Sequence, residues 1–201
     1  MGNNEILKKK TNPGWLIMIV SILLLIPTMS FHYFIPDNAC YQFDDDDIID
    51  DDYFSDTVIV VNGISYKEYK NARFLFSINY PADFTVGKAS QNGDGRRFSG
   101  KKADLVVSGH WVLEDMYENI EKYFQQKKEW KHTVTYERLT DKWFVLSGYD
   151  EDGKIFYEKT IYADYDDNDG SPIAVTATLT YDASENAYFG KIINHIFPTL
   201  K

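Results

Sequence analysis

Oxygen ligands crowd the stretch Asp164-Tyr165-Asp166-Asp167-Asn168-Asp169-Gly170, and side-chain oxygens at alternate positions are what a calcium loop uses. An EF-hand frame opened at Asp164 places Asp166 and Asn168 well. It then puts Asp169 where glycine must sit and Val175 where the bidentate glutamate must sit. Shifting by one residue seats Gly170 correctly but makes Tyr165 the first ligand. Neither frame works, so the segment reads as a polar loop. A non-EF calcium site using Asp164, Asp166 and Asn168 stays open as the alternative.

Asn92-Gly93-Asp94-Gly95-Arg96-Arg97 invites a phosphate-loop reading, but it lacks the Gly-Lys-Ser/Thr ending and leads into a strand-like run. Turn chemistry explains it better. Arg96 and Arg97, with Lys101 and Lys102, are expected to form a small basic patch. The histidines His32, His110, His132 and His195 are scattered, with no pair at helical metal-ligand spacing. His195 is expected at the boundary of a helical apolar stripe. No GxSxG elbow is present, and Ser108-Gly109-His110 makes a nucleophile only if a carboxylate orients the imidazole. Cys40 is the one cysteine, which excludes an internal disulfide. Its acidic surroundings would raise the thiol pKa and blunt it as a nucleophile. No residue is therefore assigned a catalytic, cofactor-binding or metal-ligating role.

The 15 Tyr, 13 Phe and 4 Trp mostly occupy periodic core positions. Tyr149, Tyr157 and Tyr165 are the tyrosines placed to form an interface or stack on sugars if strand faces leave them exposed.

The whole chain, 201 residues at a formal net charge of −10, argues against sequence-independent nucleic-acid binding, which needs Lys and Arg to displace counterions. The acidity is local. Nine Asp and no Lys or Arg fall between Asp37 and Asp56, whereas residues 57–201 carry 18 basic against 21 acidic side chains, a net of 18 − 21 = −3.

Lys8, Lys9 and Lys10 precede an apolar run, and no charge occurs until Asp37. Trp15–Ile35 is 21 residues, which as a helix at ~1.5 Å per residue spans roughly 31 Å, a bilayer core. Lysines before it and acid after it predict a tail at 1–14 in the cytoplasm and the remainder outside. The same segment also reads as a secretory signal cut after Thr28-Met29-Ser30, or as a lipid-attachment leader ending at Cys40. All three readings export the rest, leaving a single-pass membrane protein or a secreted one. Residues 36–56 read as a self-repelling acidic linker, with weak cation binding as the alternative.

From 57 to 201 strand-like runs dominate. Thr57–Asn62 and Ile64–Tyr69 flank Asn62-Gly63, a hairpin signal. Phe74–Tyr80 alternates Phe74, Phe76, Ile78 and Tyr80 on one face. Strands are expected at Arg96–Ser99, Ala103–Val107, His132–Leu139, Trp143–Tyr149, Ile155–Ala163 and Ile173–Tyr181. A helix over Glu114–Trp130 buries Met116, Ile120, Tyr123 or Phe124, and Trp130. A last helix opens on Asp182 and Glu185 at capping-box spacing and buries Tyr188, Phe189, Ile192, Ile193, Ile196 and Phe197. The order predicts an α+β domain, a mostly antiparallel sheet covered by helices.

Five short signatures in this order, together with the terminal Ile196-Phe197-Pro198, carry a resemblance. They are Phe74-Leu75-Phe76-Ser77-Ile78-Asn79-Tyr80-Pro81; Asn92-Gly93-Asp94-Gly95 with Phe98; Asp104-Leu105-Val106-Val107-Ser108-Gly109; Trp143-Phe144-Val145-Leu146-Ser147-Gly148; and Ile155-Phe156-Tyr157-Glu158-Lys159. Over Lys67 to Lys201 the chain resembles exported bacterial domains of the PsbP-like class, named for an extrinsic subunit of photosystem II. The resemblance implies an α/β/α sandwich used mainly for binding or assembly, and it carries over no functional residue. The expected function is thus a membrane-tethered, extracytoplasmic, non-catalytic binding domain with a protein or envelope partner. An exported hydrolase with a dispersed site and a calcium-responsive module are the alternatives.

Overall fold

The computed structural model describes residues 52–112, 119–164 and 172–201. The Trp15–Ile35 anchor, Cys40, the linker up to residue 51, Met116 and most of the Asp164–Gly170 loop lie outside the described residues. Among the described residues no helix is long and apolar enough to cross a membrane.

The first strands are β1 (Tyr53–Phe54), β2 (Ile59–Val61), β3 (Ile64–Lys70) and β4 (Ser77–Pro81). They form a four-stranded antiparallel sheet centred on β3. Asn62 and Gly63 both take positive φ, 53° and 78°, the two left-handed positions that a type I′ turn between β2 and β3 requires. Before β4 the chain departs from the expected strand. The Asn71 side chain accepts the Phe74 N–H at 2.7 Å, and Leu75, at φ 54°, is thrown out to 73% exposure. The strand consequently starts at Ser77, although Phe74, Phe76, Ile78 and Tyr80 are all buried.

Seven further strands follow: β5 (Thr85–Val86), β6 (Gly95–Ser99), β7 (Ala103–Trp111), β8 (Thr133–Leu139), β9 (Trp143–Tyr149), β10 (Ile155–Asp164) and β11 (Pro172–Tyr181). They build a second antiparallel sheet in the order β5-β6-β7-β11-β10-β9-β8. Two sheets replace the single one expected. The reason is aromatic: the buried rings of the small sheet need an apolar surface to lie on. Tyr80 stacks on Phe98 of the large sheet at 4.4 Å between ring centres, and Tyr69 meets the same ring edge-on at 5.4 Å.

Helix α1 (Ile120–Glu129) starts later than the sequence suggests, where the Asn119 side chain accepts the Lys122 N–H at 2.9 Å. Tyr123 and Phe124 are its buried residues, whereas Trp130 sits past its last turn and is 64% exposed. Helix α2 (Asn186–Ile196) is preceded by a 3₁₀ turn, Ala183–Glu185. Asp182 caps that turn through the Ser184 N–H. Glu185 does not complete a capping box; its carboxylate pairs with Lys102 instead. Phe189, Ile192 and Ile196 are buried, whereas Tyr188 is exposed.

Strand alternation then sorts the core into two layers. On one face of the large sheet, Phe98, Leu105, Val107, Ala177 and Leu179 pack with the small sheet and α2. On the other, Phe144, Leu146, Phe156 and Ala174 pack under α1 through Tyr123 and Phe124. Over the described residues the domain is α+β, built mostly of antiparallel sheet with two α-helices.

Two expectations about charge are corrected. The acidic linker does not run as a spacer to Asp56. Tyr53 and Phe54 pair with Lys70 and Tyr69, and the Asp52 carboxylate accepts Arg96 Nη2 and the Tyr69 hydroxyl, both at 2.8 Å. It also accepts Asn71 Nδ2 at 3.1 Å and the Ala72 N–H at 3.0 Å. Likewise Arg96 leaves the expected basic patch, while Lys101 and Lys102 stay exposed. Alternation along β6 turns Arg96 inward while Arg97 stays exposed.

Candidate functional site

The small sheet and α2 do not cover the whole face they lie on. Past α2, over β8, β9 and β10, a cavity of about 330 Å³ is lined by Tyr136, Arg138, Trp143, Tyr157, Lys159 and Phe197, with Val145, Ile193, Asn194 and Pro198 completing its wall. That volume is at the small end of ligand-pocket sizes.

Registry explains why these residues meet. Cross-strand partners share a face, so Tyr136, Ser147 and Tyr157 stand in one row and Arg138, Val145 and Lys159 in the next. A bulge makes this possible. Val134 pairs with Gly148 and Tyr136 with Ser147, so one extra residue, Thr135, is inserted in β8. Without it, Tyr136 and Arg138 would point to the opposite face, beneath α1, and Glu137 would point into the groove. With it, Glu137 faces the helix side and pairs with Lys128 at 2.6 Å. Bulges commonly re-aim side chains in this way.

Trp143 is the centre of the groove. The Arg138 guanidinium lies 5.1 Å from its ring centre and the Lys159 ammonium 5.8 Å, both within cation–π range. Lys159 also donates to the Phe197 carbonyl at 2.8 Å, and Phe197 packs on Tyr157 at 4.6 Å. Burial pushes the Lys159 ammonium below the usual lysine range and, aided by Tyr136, pushes the Tyr157 phenol up. Among the described residues, neither Arg138 nor Lys159 meets a carboxylate. By contrast, buried Arg96 has Asp52, and half-buried Lys127 and Lys131 share Glu158 at 3.2 and 2.6 Å. The groove therefore keeps two uncompensated positive charges over an aromatic platform.

The residues weighed from sequence fall elsewhere. His110 Nε2 lies 3.2 Å from the Tyr123 hydroxyl. Burial, reinforced by Lys127 and opposed by Asp94, holds its imidazole below the ordinary value. His195 is half-buried, its ring tilted against Tyr66 at 4.1 Å between centres with Nε2 3.3 Å from Asn79 Nδ2, as a boundary residue should be. His132 is exposed. The Asn92–Gly95 stretch is a turn, closed by the Ser90 hydroxyl accepting the Asp94 N–H at 2.9 Å. No group of three His, Cys, Asp or Glu among the described residues is placed to hold a metal ion. Tyr157 is the groove residue that sequence reading singled out; Tyr149 is exposed farther along β9, and Tyr165 lies outside the described residues. Arg138, Trp143 and Lys159 were missed. Their signal was a Trp and a Lys on the alternation that otherwise places apolar side chains inward.

No family model matches this chain, and no curated protein matches it. Among solved structures the chain is similar to the solution structure of cyanobacterial PsbP from Synechocystis sp. PCC 6803. The identity is 10% and the TM-score 0.39, over 68% of this chain and 91% of that one. A likeness this loose carries no argument about function.

Proposed function

We propose that this chain is a membrane-tethered, extracytoplasmic binding module of the PsbP-like α/β/α class, working without turnover. The observation that carries the binding role is the groove: two positive side chains lie within cation–π range of Trp143 with no acidic partner among the described residues, on the part of the sheet face that α2 leaves uncovered. Uncompensated charge beside aromatic surface loses solvation on folding and regains partners when an anion docks. The tethering rests on Trp15–Ile35 and the lysines before it. The PsbP-like assignment rests on the short signatures given above and on the helices packed against both faces of an antiparallel sheet.

The hydrolase alternative keeps one supporting observation, the His110 imidazole beside Tyr123, which burial holds below its ordinary pKa.

Placement is tested by thiol labelling. Val60 is 66% exposed, and Cys40 is the one native thiol. In a Cys40→Ser background, Val60→Cys is expected to react with a membrane-impermeant maleimide on intact cells. Labelling that needs cell lysis would place the domain inside and end the tethered, extracytoplasmic reading.

A further inference from the structure

The groove mixes two demands that few ligands meet together. Its charge comes from Arg138 and Lys159, and its walls are Trp143, Tyr157, Phe197 and Pro198. A bare polyanion would satisfy the cations and leave the apolar walls wet. A neutral apolar group would bury the walls and leave Lys159 donating to the Phe197 carbonyl with no counter-charge among the described residues. The ligand must therefore carry an anionic group next to an apolar body.

A third feature narrows the class. β8 is the last strand of its sheet, and the bulge at Thr135 sits at the groove's margin. Beyond it no strand pairs with β8 among the described residues. Backbone N–H and C=O groups on such an edge hydrogen-bond readily to another extended backbone. A polypeptide leaving the groove across β8 finds those partners; a polysaccharide or polyphosphate has no backbone amides to offer.

We propose that the groove recognises an acidic polypeptide segment. One carboxylate side chain settles between Arg138 and Lys159 above Trp143, and a neighbouring apolar side chain packs on Tyr157, Phe197 and Pro198. This deepens the binding-module reading and rests on it. Glu137, turned to the helix side and held by Lys128, keeps negative charge out of the groove. The bulge thus selects the sign of the partner as well as the position of the site.

The test uses the full chain in non-ionic micelles and follows the Trp143 indole N–H resonance, assigned by Trp143→Phe. The probes are acetyl-Glu-Phe-Glu-Ile-amide, its Lys-for-Glu counterpart, sodium polygalacturonate and inorganic polyphosphate. The acidic peptide is expected to shift the resonance saturably, and the lysine peptide is not. Arg138→Gln, an exposed substitution that leaves the core intact, is expected to weaken the acidic peptide about tenfold, the loss of one charge-assisted contact. Arg138→Glu is expected to exchange the preference for the lysine peptide. An acidic-peptide shift that Arg138→Gln leaves unchanged overturns the proposal. Tighter binding of polygalacturonate or polyphosphate at Trp143, lost in Arg138→Gln, overturns the polypeptide class while sparing the binding module. Silence from all four probes removes both.

Discussion

Asp52→Ala is expected to destabilise the domain by about 3–5 kcal/mol, the cost of breaking a buried ion pair from one side. Both side chains are nearly inaccessible, Arg96 at 3% and Asp52 at 6%. Removing the carboxylate takes the counter-charge from the Arg96 guanidinium, which lies 5.2 Å from the Phe54 ring and keeps the Gly87 carbonyl at 3.1 Å, and leaves the Tyr69 hydroxyl and Ala72 N–H without their acceptor. The buried guanidinium and the Tyr69 hydroxyl carry that cost as lost solvation, whereas Ala72 is exposed and its N–H turns to water. The double change Asp52→Leu with Arg96→Met removes both charges and is expected to recover most of the loss, because apolar replacement of a buried pair is often near neutral. Urea unfolding followed by tryptophan emission measures both. A midpoint for Asp52→Ala within about 1 kcal/mol of the parent would show Asp52 to be a solvated linker residue after all.

Glu158→Gln is expected to cost about 2–3 kcal/mol at neutral pH, in the range of charge-assisted hydrogen bonds and below a fully buried pair, because both lysine partners keep some contact with water. The carboxylate is 2% exposed, so burial alone would push it up. Lys127, Lys131 and the Thr178 hydroxyl at 3.0 Å outweigh that and leave it below the ordinary glutamate value. A carboxyl depressed in the folded state binds its proton more readily when unfolded. Its stabilisation is therefore complete above the unfolded pKa of about 4.3 and is lost as pH falls through the folded value. Parent stability should drop across that acid range and Glu158→Gln should drop less, the two curves converging at low pH. Parallel curves would mean that the lysines do not hold the carboxylate. Because Lys127 of α1 and Lys131 just past its end both reach Glu158, the helix is expected to loosen first, and Tyr123 amide exchange reports it.

Local patterning made most of the secondary structure legible. Asn62-Gly63 supplied two left-handed residues, strand-like runs on either side of the Asp150-Glu151-Asp152-Gly153 turn marked β9 and β10 almost to the residue, and the stripe Phe189, Ile192, Ile196 marked α2. What escaped depends on partners far along the chain. Asp52 looks like any other member of an acidic run until Arg96, 44 positions on, is brought beside it. Arg96 itself sits among Gly, Arg and Ser in a stretch that reads as polar. The separate small sheet follows from where Tyr69 and Tyr80 find Phe98, which no period reveals. The groove was partly readable: Tyr157 stood out as an aromatic on a strand face. Arg138 did not, because simple alternation from Thr133 puts it beneath α1, and a single inserted residue in β8 reverses that.

The central claim is that Arg138 and Lys159 make the uncovered sheet face an anion-recognising surface. Tyr136, 51% exposed at the groove's rim, is the position from which to ask. A photo-crosslinking residue there, in the full chain within its own membranes, should join a discrete partner through a peptide rich in Asp or Glu. Adding Arg138→Glu and Lys159→Glu should abolish that product, while the same crosslinker at Val60 gives none. A product that survives the charge reversal, or one whose joined peptide lacks acidic residues, would contradict it.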